Sequence, residues 1–174
     1  MKSSVPAEQR KRSLPKGIFF LSSALALFFY VLDQITKEII VRTLPLFSRE
    51  IIIPGFFNLT SVRNRGAAWG LFAGKQWFLL IVSFAALLGI IFFFRKLTEY
   101  LPERIIALGL LVSGIIGNCT DRLFRNEVVD FLEFHLGRFY WPSFNVADIC
   151  ITCGVLIYVL SSLIRPEPES EQKK

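Results

Sequence analysis

From Gln76 to Phe94 the chain is almost wholly apolar and carries no charge, and the run is closed by Arg95-Lys96. About 20 such residues, rising about 1.5 Å each as a helix, cross the roughly 30 Å hydrocarbon core of a bilayer. Three further apolar stretches accompany it. Gly17–Leu32 continues in helix-forming residues to about Val41, a shorter stretch opened by Pro102 runs from Glu103 to about Gly117, and Ala147–Ile164 is the last. The composition agrees: 53% of the residues are hydrophobic, above the roughly 45–50% of soluble domains, and the excess lies in runs. The expected fold is mainly α and integral to the membrane. Four transmembrane helices at about 17–41, 76–94, 103–117 and 147–164 form one domain over 17–164.

The segments outside these runs complete the organisation. Residues 1–16 carry Lys2, Arg10, Lys11, Arg12 and Lys16 and read as a basic cytoplasmic tail. Residues 165–174, with two Pro and three Glu, read as a disordered cytoplasmic tail. Ala24-Leu25-Ala26 resembles a signal-peptide cleavage site, but the apolar run continues through Phe28, Phe29 and Tyr30, so it reads as a retained first span. Between spans, 42–75 contains β-branched and aromatic stretches at Ile51–Ile53 and Phe56–Val62 suited to short strands. They make a small β-containing extracytoplasmic platform, and 118–146 reads as a second polar loop. Arg95, Lys96, Arg104 and the tails place most of the basic residues on one side, so both termini are expected in the cytoplasm.

A net charge of +6 raises the question of nucleic acid, but the basic residues form no stripe and no such partner is expected. Cys150 and Cys153 make a C-x-x-C inside the last apolar run. With no second C-x-x-C and no H-E-x-x-H, they read as small side chains in a membrane helix. Neither a metal nor any other cofactor is expected.

The polar residues near the spans are more informative. Asp33 lies about 24 Å along the first helix from Gly17, near the outer face, and Lys37 at i+4 can pair with it. Asn118, Asp121 and Arg122 follow the expected outer end of the third span, and Asn145 and Asp148 open the fourth. Asp130 lies between them, and Asn64 in the other outer loop. Distant parts of the chain thus bring aspartates and asparagines to one level of the membrane, where such groups are costly and usually functional. The alternative is a set of ordinary interfacial residues: Asn145 suits the cap of the fourth helix, and Asp148 its positive end.

The remaining chemistry is carboxylate chemistry. The chain has no Ser-x-x-Lys or Gly-x-Ser-x-Gly signature, and a single histidine, His135, is a poor basis for a triad. Two neighbouring aspartates cannot both ionise cheaply, so one keeps a proton while the other activates water, which suffices to hydrolyse an amide. A proton- or ion-coupled transporter would instead spread its carboxylates through the membrane depth. A non-catalytic assembly protein would tolerate Asp→Asn changes.

Five blocks occur in order: Asp33-Gln34-Ile35-Thr36-Lys37; Asn64-Arg65-Gly66-Ala67-Ala68-Trp69-Gly70; Gly114-Ile115-Ile116-Gly117-Asn118-Cys119-Thr120-Asp121-Arg122; Val128-Val129-Asp130-Phe131; and Pro142-Ser143-Phe144-Asn145-Val146-Ala147-Asp148. Together they resemble the bacterial lipoprotein signal peptidases, or signal peptidase II, over roughly Asp33 to Ile164. The resemblance implies a membrane aspartyl endopeptidase that cleaves signal peptides from diacylglyceryl-modified prolipoproteins, just before the lipid-bearing cysteine, at the outer face of the cytoplasmic membrane. It implies Asp130 and Asp148 as the catalytic pair. Asp33, Lys37, Asn64, Asn118, Asp121, Arg122 and Asn145 are then supporting or substrate-contacting residues, with Arg122 either contacting substrate or pairing with Asp121. A monomer with prolipoproteins and membrane lipids as partners is expected. Ser113, where the family often has a glycine, and Trp69 and Trp141, in place of the more usual Phe, depart from the pattern without touching an acid–base group.

Overall fold

A computed structural model describes residues 13–67 and 71–165; most of both expected tails, and Trp69, lie outside the described residues. Helix α1 is Lys16–Thr43, strands β1 and β2 are Arg49–Ile53 and Phe57–Asn64, and α2 is Gln76–Thr98. Helix α3 is Pro102–Arg125, β3 and β4 are Val128–Leu136 and Phe139–Tyr140, and α4 is Val146–Ile164. All four helices are long and apolar enough to cross a membrane.

Helix α3 is the centre of the bundle and packs against α1, α2 and α4. Half of its most apolar stretch is buried inside the protein, against 6% for α2, whose apolar side chains face outward. Close approach depends on glycines. A Cβ on Gly114 would lie 2.3 Å from the Ala147 carbonyl oxygen, and one on Gly117 would lie 2.7 Å from Asp33 Oδ2. The first contact is with rigid backbone, so the C-terminal half of α3 meets the first turn of α4 only because these positions lack side chains.

Two expectations need correction. Helix α3 does not end near Gly117 but runs to Arg125, so Asn118, Asp121 and Arg122 stand on the helix rather than after it. Hydropathy falls there because the side chains are polar, yet Asn118, Asp121 and Arg122 are all buried, with internal partners in place of lipid. Residues 118–146 are also not a polar loop. They supply β3 and β4, which complete an antiparallel sheet of order β1-β2-β3-β4. The charged Asp130 and Glu133 masked the strand pattern, and both are buried on β3.

The sheet is fastened to the helices where Ile40 of α1, Val129 and Phe131 form a small core with Leu44, Leu59, Leu132 and Val146. Two irregularities set the position of Asp130. Leu59 pairs with Leu132 while Val62 pairs with Asp130, so β2 carries an extra residue opposite β3; such bulges re-aim nearby side chains. On the other side of β3, the Phe131 and Leu132 N–H groups both donate to the Phe144 carbonyl, at 3.0 and 2.9 Å. That bridge sets the start of α4 beside Asp130.

Candidate active site

Helix α4 begins with a reciprocal cap. Asn145 Oδ1 accepts from the Asp148 N–H at 3.0 Å, and Asp148 Oδ2 accepts from the Asn145 N–H at 3.2 Å. This capping box satisfies helix-end donors and fixes the Asp148 carboxylate over the positive end of the helix. The same Asn145 turns its Nδ2 to Asp130 Oδ1 at 2.7 Å. One residue therefore holds a carboxylate from β3 and another from α4.

Each aspartate has a further amide donor. Asn64 Nδ2 reaches Asp130 Oδ2 at 3.0 Å, and Asn118 Nδ2 reaches Asp148 Oδ1 at 2.8 Å. Burial, and then the neighbouring Asp148 charge, push the Asp130 carboxyl up from 3.8 to about 7, against the opposing hydrogen bonds from Asn64 and Asn145.

Behind the pair lies a buried ionic cluster. Lys37, with no exposed surface, is 2.8 Å from Asp33 Oδ2, 3.1 Å from Asp121 Oδ2 and 3.0 Å from Asn118 Oδ1. Its three ammonium hydrogens thus meet three acceptors, which is what a buried charge requires. Asp33 Oδ1 also accepts from the Ala147 N–H at 2.8 Å, and Asp121 Oδ2 from the Val129 N–H at 3.1 Å. The cluster therefore ties α1 and α3 to the backbone beside each member of the pair.

Arg122 does not pair with Asp121. Its Nη2 donates to the Gly66 carbonyl at 3.0 Å, while Asp121 takes Lys37 and Arg125. Arg125 lies outside the ordered blocks, and Gly66 stands in one of them without a role of its own. The i+4 spacing of Asp121 and Arg125 was a usable signal for the first; nothing local marks the second, whose partner lies on a different element.

Asn64, Asn118, Arg122, Asp130 and Asp148 all line a groove of about 1090 Å³ that runs down between α2 and α4 past Leu79, Val82, Thr152 and Cys153. Its upper end is polar and its lower walls are apolar. Cys119, Cys150 and Cys153 are free thiols, and no cluster of three or more metal-ligating side chains exists among the described residues.

A family model described as signal peptidase (SPase) II matches residues 25–164. The lipoprotein signal peptidase of Symbiobacterium thermophilum is 44% identical over 135 residues, covering 78% of this chain and 89% of that protein. The corresponding protein of Staphylococcus aureus is 38% identical over 142 residues, covering 82% and 87%. A bacterial membrane enzyme solved by the in meso method at 2.3 Å resolution superposes with a TM-score of 0.81 at 34% identity, over 94% of this chain and 98% of that one. Fold and relatives together define a membrane-embedded aspartic peptidase. Within that class, the chain belongs to the signal peptidase II family.

Proposed function

We propose that Asp130 and Asp148 are the catalytic pair of an endopeptidase that removes signal peptides from diacylglyceryl-modified prolipoproteins, cutting just before the lipid-bearing cysteine. The observation that carries this is the double role of Asn145, which donates to both carboxylates at the polar end of a membrane groove. The elevated Asp130 supports a pair that holds one proton near neutral pH. The ionised carboxylate takes a proton from water as the water oxygen attacks the scissile carbonyl carbon. The protonated carboxyl gives its proton to the carbonyl oxygen, forming a tetrahedral diol. Collapse of the diol returns a carbonyl, breaks the C–N bond and delivers a proton to the departing amine. The two aspartates titrate as one unit, and the amide donors around them hold the charged form in place.

The groove suits a substrate that arrives through lipid. Its opening between α2 and α4 admits an extended peptide from the side, and its apolar walls accept acyl chains, each buried CH₂ contributing about 0.8 kcal/mol. The anchored lipid would fix the depth of the scissile bond. Both termini face the cytoplasm in this reading, the pair lies near the outer face of the bacterial cytoplasmic membrane, and one monomer holds the whole site.

Two experiments test the reading. Asp130→Asn and Asp148→Asn, assayed as folded proteins on a lipidated precursor, are expected to lose processing by at least about 10³-fold; normal processing by either would overturn the pair. Lipidated precursor is expected to be cleaved and unlipidated precursor left intact, and equal cleavage would remove the lipid from the recognition.

A further inference from the structure

A side-chain amide has an acceptor end and a donor end of nearly equal size, so shape alone does not decide which end faces a neighbour. At this site three asparagines turn NH₂ toward a carboxylate, and in each the oxygen is occupied by a donor on the far side. Asn145 Oδ1 is held by the Asp148 N–H, as part of the helix cap. Asn118 Oδ1 is held by Lys37 at 3.0 Å. Asn64 Oδ1 is held by the Gly66 N–H at 2.8 Å, and the carbonyl of Gly66 is held in turn by Arg122 at 3.0 Å.

We propose that Lys37 and Arg122 are positioning residues that set the polarity of the Asn118 and Asn64 amides, so that each presents donors and not an oxygen to the catalytic pair. The inference rests on the assignment of Asp130 and Asp148 above. Neither cation has a hydrogen bond or ion pair with Asp130 or Asp148 among the described contacts, although both charges also act on the two carboxylates through space. Lys37 acts on Asp148 through one amide; turning Asn118 over would set its NH₂ against the ammonium and its oxygen against Asp148 Oδ1. Arg122 acts on Asp130 through the Gly66 peptide and one amide. An inverted amide would accept from a protonated carboxyl, favouring the doubly protonated pair, which has no base to activate water. The two cations thus help keep the singly protonated pair available by holding the orientation of neutral groups, beside the direct pull of their charges.

The test is a pair of double-mutant cycles on the full-length protein in detergent, with a diacylglyceryl-modified precursor: Lys37→Met with Asn118→Ala, and Arg122→Lys with Asn64→Ala. Each single variant is expected to lower kcat/KM by about tenfold or more, and each double variant to be no worse than its worse single. The acid limb of the pH–rate profile should also move to higher pH, by roughly one unit, in Arg122→Lys, where the charge is kept and only the bond to Gly66 is lost. Losses that multiply in the cycles, or an acid limb that stays in place, would overturn the proposal. If Lys37→Met fails to fold, because Asp33 and Asp121 are left buried and unpaired, the Arg122→Lys cycle decides, since lysine keeps the charge and loses the reach to Gly66. Full activity in Asp130→Asn or Asp148→Asn would instead mark failure of the catalytic assignment itself.

Discussion

Asp130 is buried as a carboxyl that titrates near neutrality, and this makes it a source of pH-dependent instability. Its value is about 7 in the folded protein and near 3.8 when free of that environment. A raised carboxylate value means that the folded state binds the proton more tightly than the unfolded chain. The associated stability is therefore complete below about pH 4 and lost as pH rises through 7. Asp130→Asn cannot ionise, so the difference in unfolding temperature between variant and wild type should move in the variant's favour by several degrees from pH 4 to pH 8. Thermal unfolding in detergent at the two pH values reads this directly, and a pH-independent difference would contradict it.

At the scale of elements, the crossing of α3 and α4 decides whether Asp148 meets Asp130. Gly114→Ala drives a methyl group into the Ala147 carbonyl and must displace the first turn of α4. It is expected to lower activity at least about tenfold and stability by roughly 1–3 kcal/mol, as overpacking does. Gly89→Ala on α2, where an added Cβ meets nothing within 4 Å, should leave both near wild type. Asn145→Ala removes a helix cap worth about 1 kcal/mol. Because the same side chain holds Asp130, its activity should fall far more than its stability; equal falls would reduce it to a cap.

These elements were unequally legible in the sequence. The span of α2 could be read directly, because nearly all its side chains face lipid and the residue pattern reports the solvent. The C-terminal end of α3 could not, since its polar side chains are solvated by the protein and no hydropathy rule anticipates Lys37 meeting Asp33, Asp121 and Asn118 together. Strand β3 was hidden for the same reason: Asp130 and Glu133 look like loop residues until Asn64, Asn145, Arg49 and Asn58 are placed around them. The candidate site residues were singled out by ordered motifs, and their hydrogen-bond polarity became visible only in three dimensions.

For the molecule as a whole, the distribution of basic residues predicts both termini in the cytoplasm. Reporters fused to the C-terminus should be active when they require the cytoplasm and inactive when they require the outer compartment. The opposite result would turn the Asp130–Asp148 groove toward the cytoplasm. A last consequence concerns the order in which the protein is made. Helix α1 leaves the ribosome first, carrying two charges that must wait for α3 to supply Asp121 and Asn118. Because Asp33 and Lys37 are one turn apart and bond to each other at 2.8 Å, the pair adds no net charge to α1, which lowers what bringing it into a bilayer costs. The same ion pair that lies behind the two aspartates thus eases the entry of the first helix before its neighbours are in place.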